Sequence, residues 1–169
     1  MTDPAPDELT APGGPFEMVE EDVFGEPMLV FRNRARSTRE LLAGSGEYGA
    51  DAYVVCGDRR LTFADHLADV AALSSVLADE YGVRPGDRVA LLAANCPEWI
   101  TAFWATTGMG AVAASMNAWW APPEAEFALR SAEPAVVIAD LSPSAGATAN
   151  PIFNLHSSVL PQNRRYESV

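Results

Sequence analysis

The chain has 169 residues, a formal net charge of −12 and 49% hydrophobic residues. That composition is globular, and one domain of this length buries roughly 70% of its extended surface. The negative charge argues against a nucleic-acid groove. All eleven basic residues are arginine, so no mechanism built on a phosphate-loop or Schiff-base lysine is open to this sequence.

Residues 1–27 are rich in Pro, Gly and acid and read as a disordered or loosely ordered leader, its first fifteen residues disordered. The leader has no basic start and no apolar run, so it reads as no secretory signal, and the expected compartment is cytoplasmic. Cys56 and Cys96 form no CxxC pair and read as reduced thiols. The run Met28–Phe31 is apolar and precedes four arginines, Arg32, Arg34, Arg36 and Arg39. Beside so acidic a stretch, the cluster reads as local charge balance. A short helix is expected near Ser37–Ala43.

Ala52–Cys56 is β-rich, Gly57 and Asp58 turn the chain, and Arg59–Leu61 returns it: a hairpin. Thr62 followed by Asp65 starts a helix as a Thr-x-x-acid variant of the capping box. Phe63, Leu67, Val70, Leu73 (or Ser74), Leu77 and Tyr81 recur at steps of three and four on one face, and Gly82 stops the helix. His66, in its first turns, reads as a surface or rim histidine. Pro85 and Gly86 form a turn. Val89–Ala94 is apolar without alternation, the pattern of a parallel strand buried on both faces.

Pro97 suits the first turn of the next helix, which carries Trp99, Ile100, Phe103 and Trp104 and ends at Gly108. Ala111–Met116 is a small-residue strand. Pro122 and Pro123 open another helix to about Ala132, and Ala135–Asp140 is a third strand. Trp99–Ala121 holds no charge over 23 residues, the length of a membrane span. Its only branched aliphatics are Ile100 and Val112, and two glycines interrupt it, so it reads as helix, turn and strand. The alternation predicts an α/β fold: a partial doubly wound parallel sheet, strand-helix-strand-helix-strand, with an N-terminal hairpin region.

The junction Asn95-Cys96-Pro97-Glu98 occupies the place where a glycine loop holds phosphate in nucleotide-binding sheets. Here no glycine lies between Asp87 and Gly108. Glu98 puts a negative charge in the first turn, Pro97 removes a donor, and the Asn95 or Cys96 side chain is expected to take another. The junction therefore reads as a self-capped helix start that holds an aromatic helix on the sheet.

The ordered set formed by the Thr62-Phe63 helix start, "GVRPGDRVALLAANCPEW", "GMGAV", "MNAWW" and "AVVIAD" resembles the N-terminal portion of AMP-forming acyl-CoA synthetases, the adenylate-forming ligase superfamily. The resemblance spans about Leu29 to Asp140. The "NAWW" form is similar to the branch acting on fatty or related carboxylic acids. The resemblance implies a complete enzyme that uses Mg-ATP to make an acyl-adenylate and then transfers the acyl group to CoA. The family's phosphate loop ending in Lys-Gly, its later aromatic-Gly-x-Thr-Glu segment and its C-terminal-domain lysine have no counterpart in this sequence. By position, the resemblance puts Gly110 near CoA, and Trp119 and Trp120 in an acyl channel. Read from the residues alone, Gly110 is a helix stop and the tryptophans are packing or rim residues.

After Asp140 the acidic pattern stops, with Glu167 alone following, and residues 141–169 read as a divergent, mobile tail, from a shifted frame or an early stop. The sequence thus divides into a leader (1–27), the N-terminal part of a synthetase domain (28–140) and a tail. Its expected state is a truncated synthetase with no catalytic residue, no metal site and no bound cofactor of its own. Uncovered apolar surface, around Phe103, Trp104, Trp119 and Trp120, is expected to drive self-association or docking. Two alternatives are a non-enzymatic module docking on a full-length synthetase and a small flavodoxin-like ligand-binding domain.

Overall fold

The computed structural model describes residues 6–139, so the expectations for residues 140–169 concern residues outside it. The chain forms two compact units, dividing after Arg36.

The first unit holds a short helix, α1 (Pro6–Thr10), and an antiparallel hairpin of β1 (Met18–Val23) and β2 (Glu26–Phe31). Val23 pairs with Glu26, so Phe24 and Gly25 alone make the turn, with φ of 56° and 90°. Positive φ at both turn residues matches the twist of the flanking strands. The stretch read as a leader therefore contains a strand, because its charges find partners. Glu21 accepts from Arg34 at 2.8 Å and Arg36 at 2.7 Å, and Glu17 pairs with Arg32 at 2.9 Å. The hydrogen bond from Arg36, then that from Arg34, draws the Glu21 carboxyl down to about 2.

The second unit begins with α2 (Thr38–Gly44), capped where Ser37 Oγ accepts from the Glu40 N–H at 3.1 Å. Arg39 of this helix donates to the Gly108 carbonyl at 2.7 Å, a cation at the end of the helix that closes there. A 3-10 turn follows, then the hairpin of β3 (Ala52–Cys56) and β4 (Arg59–Thr62). Helix α3 (Phe63–Asp79) starts on a complete capping box: the Asp65 N–H donates to Thr62 Oγ1, and the Thr62 N–H to Asp65 Oδ2, both at 3.1 Å.

The parallel sheet is built from β5 (Arg88–Leu92), β6 (Val112–Met116) and β7 (Val136–Ala139), in the order β6-β5-β7. Helix α4 (Pro97–Gly108) links β5 to β6, and α5 (Pro122–Ala132) links β6 to β7. Alternation along the strands separates two faces. Val89, Leu91, Val136 and Ile138 share one face and form the core with Val70, Leu73 and Leu77 of α3 and Ala102 and Ala105 of α4. Ala90 and Met116 belong to the other face, met by α5. No residue of α5 is buried.

The structure overturns the rim reading of His66, whose relative exposure is 1%. Its position at 66, with 70, 73 and 77, continues the buried stripe of α3 at helical spacing. The ring lies 4.6 Å from that of Tyr53 on β3.

Candidate functional site

In an open parallel sheet whose chain winds first to one side and then to the other, ligands sit outside the carboxyl ends of the strands, beside the strand where the order switches. That strand is β5. The loops at this edge are Ala93–Cys96, leading into α4, and Asn117–Ala121, leading into α5.

At the first loop, Cys96 is the N-cap of α4 with extended backbone (φ −149°, ψ 164°) and Pro97 opens the helix. Of the two side chains expected to cap this helix, that of Cys96 makes no cap hydrogen bond. Instead the Trp99 N–H bonds to the Cys96 carbonyl at 3.1 Å, a tightened first turn that satisfies an orphan donor through the backbone. Glu98 Oε1 accepts from Arg59 at 2.7 Å, so the hairpin tip neutralises the charge at the helix start. The hydrogen bond to Glu98 raises the Arg59 pKa further, while burial raises that of the Cys96 thiol. Beside this pair is a cavity of about 310 Å³ lined by Arg59, Asp69, Leu73, Glu98 and Thr101. A helix start already holding a carboxylate on an arginine disfavours a second anion.

At the second loop, Asn117 organises the turn. Its Oδ1 accepts from the Trp119 N–H at 2.9 Å and its carbonyl from the Trp120 N–H at 3.2 Å. Glu124 reaches back to accept from the Ala121 N–H at 2.8 Å, fixing the start of α5. Trp120 then lines an open, mostly apolar groove of about 690 Å³ with Ala114, Met116, Pro123 and Phe127. Trp119 is 75% exposed and lies outside that lining. Sequence reading found Trp120 but not Met116 or Phe127. Their signal is local: Pro123 and Phe127 are one helical step apart, and Ala114 and Met116 alternate on one strand face.

Gly110 lies at the opposite edge. It precedes β6, whereas the tryptophans follow it, so the strand's five residues, about 16 Å, separate them. Gly110 has φ +86° after the last turn of α4, its carbonyl accepts from the Gly86 N–H at 2.9 Å, and a Cβ there would meet Pro85 at 3.3 Å. Those constraints account for the glycine as a helix stop. The expected apolar surface divides likewise. Phe103 and Trp104 pack against the core, while Trp119 and, partly, Trp120 remain exposed.

Among the described residues, no helix is long and apolar enough to cross a membrane, and no group of three or more His, Cys, Asp or Glu is placed to hold a metal ion.

Comparison with known proteins agrees with this architecture. Residues 43–165 match the family model for AMP-binding enzymes. The chain is 32% identical over 80 residues to a long-chain-fatty-acid–CoA ligase of Bacillus subtilis, a match covering 47% of this chain and 14% of that protein. It is 36% identical over 73 residues to the medium/long-chain-fatty-acid–CoA ligase FadD6 of Mycobacterium tuberculosis, covering 43% and 12%. Among solved structures, the N-terminal domain of FACL13 from M. tuberculosis matches with a TM-score of 0.58 at 30% identity, over 62% of this chain and 27% of that one. The N-terminal subdomain of NpsA from Klebsiella oxytoca shares the fold, with a TM-score of 0.59 at 19% identity, over 64% and 28%. The chain thus spans about an eighth of the curated relatives' length. It belongs to the AMP-binding enzyme family and corresponds to the N-terminal part of an AMP-forming acyl-CoA ligase.

Proposed function

We propose that this chain supplies part of the acid-binding region of a fatty-acyl-CoA ligase and does not itself form acyl-adenylate. The observation that carries the reading is the coincidence of the family match with a sequence containing no lysine. AMP-forming ligases use ATP, Mg and CoA. The described residues do not fit Mg-ATP: the α4 start holds Glu98 on Arg59, and no cluster of carboxylates is available for the metal. Positioning and charge neutralisation supply most of the catalysis in such transfers, and the sequence has no lysine to contribute to either.

Within this reading, the groove of Trp120, Met116 and Phe127 receives an apolar acyl chain, with Trp119 at its rim. Its support is the apolar lining together with the names of the curated relatives. Assigning Gly110 to CoA approach rests on family resemblance, and its place across the sheet from the tryptophans makes any such contact separate from the groove.

Acid-dependent pyrophosphate release from ATP tests the first statement. None is expected from the purified chain, and acid-dependent acyl-adenylate formation, with contaminating ligase excluded, would overturn it. Tryptophan emission titrated with a long-chain fatty acid tests the groove. Saturable quenching is expected, weakened by Phe127→Ser; an equal response in that variant would remove the groove from the account.

A further inference from the structure

His66 is buried in the second unit with neither ring nitrogen hydrogen-bonded, although Nδ1 and Nε2 are both polar. A buried imidazole without partners is stable only as the neutral ring, since adding a proton there creates an unsolvated cation. The aromatic surroundings tie this ring to the β3–β4 hairpin. Tyr53 of β3 lies 4.6 Å from His66 and 4.7 Å from Phe63, and its hydroxyl accepts from Trp104 Nε1 of α4 at 3.1 Å. The β3–β4 hairpin is a two-stranded sheet of its own, paired to no strand of the parallel sheet. At its tip, Arg59 reaches Glu98 at the start of α4.

The charged groups on the surrounding elements leave the ring unneutralised. On α3, Asp65 is tied into the capping box, while Asp69 favours the cation but acts against the stronger effect of burial. On β4 and α4, Arg59 donates to Glu98 Oε1, while Glu98 Oε2 is buried without a hydrogen-bond partner. Arg60 of β4, Glu47 of the 3-10 turn and Asp79 at the far end of α3 are the remaining charged side chains on these elements.

We propose that His66 is an acid-sensitive latch: its protonation releases the β3–β4 hairpin from α3 and withdraws Arg59 from Glu98, opening the start of α4 at the carboxyl edge of the sheet. The proton comes from solvent and no covalent bond changes. The hairpin is set off as the responding part because its strands pair with no strand of the parallel sheet, whereas β5 is paired on both sides.

Amide hydrogen exchange on the full chain, corrected for the intrinsic rate at each pH, tests this. An open-state histidine with an ordinary pKa near 6.5 predicts that opening rises up to about 30-fold between pH 7.5 and pH 5. Loss of protection on that scale is expected in Val54–Leu61, with Val89–Leu92 changing much less. In His66→Phe, which keeps a ring but cannot titrate, the hairpin is expected to lose its pH response. Equal pH responses in the two proteins would overturn the latch, as would parallel loss of protection in β5, which would signal global unfolding. Should His66→Phe fail to fold, proton NMR of the wild-type imidazole decides. A resonance titrating near 6.5 while hairpin amides stay protected would also overturn it.

Discussion

The two faces of the parallel sheet are built by different rules. On the α3/α4 face, Val89, Leu91 and Val136 are at most 2% exposed, and two helices close over them. On the other face, among the described residues, α5 meets the strands, buries none of its own residues and leaves Phe127 75% exposed. The sequences of the covering helices reflect the difference. Helix α3 repeats large aliphatics at 70, 73 and 77, whereas α5 reads PPEAEFALRSA, with only Phe127 and Leu129 large and apolar. Among the described residues, one face is a closed core and the other is apolar and largely exposed.

Leu91→Ala breaks the closed face. The leucine is 1% exposed in the central strand, and the variant is expected to lose about 2–5 kcal/mol in denaturant melts. Gly110→Ala attacks the connection feeding β6: with φ +86° and Pro85 at 3.3 Å, about 1–3 kcal/mol is expected to be lost. Thr62→Ala removes half of the α3 capping box, at a cost of about 1 kcal/mol by the same measurement. Phe127→Ser sharpens the contrast from the other side. Stability is expected to change by less than about 0.5 kcal/mol, while binding of an apolar dye and self-association fall. Equal losses for Leu91→Ala and Phe127→Ser would erase the distinction between the faces.

The smallest effect concerns the first unit. The Glu21 carboxyl is held at about 2, below its ordinary 4.5, by Arg36 and Arg34. Its contribution to the β1–β2 hairpin is therefore present above about 4.5 and is lost as pH falls through about 2. The pair is exposed and screened by salt, so the hairpin's acid response is expected to be shallow and to flatten in Glu21→Gln, read by amide exchange.

Where a residue's fate is decided by its near neighbours in the chain, the sequence was legible. Pro97, Gly108 and Pro122 bound their elements within a residue or two of the expected places, β6 and β7 fall inside the apolar runs, and β5 overlaps its run but starts one residue earlier, at Arg88. The β1–β2 hairpin was illegible because its strand, MVEEDV, is acidic, and its partners Arg34 and Arg36 lie beyond the next strand. His66 was misread by residue type although its spacing placed it on the buried stripe. The groove shows the same limit. Two adjacent tryptophans drew notice, yet only Trp120 lines it, because the turn set by Asn117 sends the pair to different surroundings.

The strand order carries a consequence for synthesis. Val89 in the central strand pairs with Val136, about fifty residues later, so β5 leaves the ribosome well before its second neighbour exists. At roughly 5–20 residues per second, that edge stays open for about 2–10 s. During that interval an uncharged strand, Val89–Leu92, presents bare amides and carbonyls to whatever is near. The nascent chain thus passes through a stage with β5 unpaired on the side that β7 later closes.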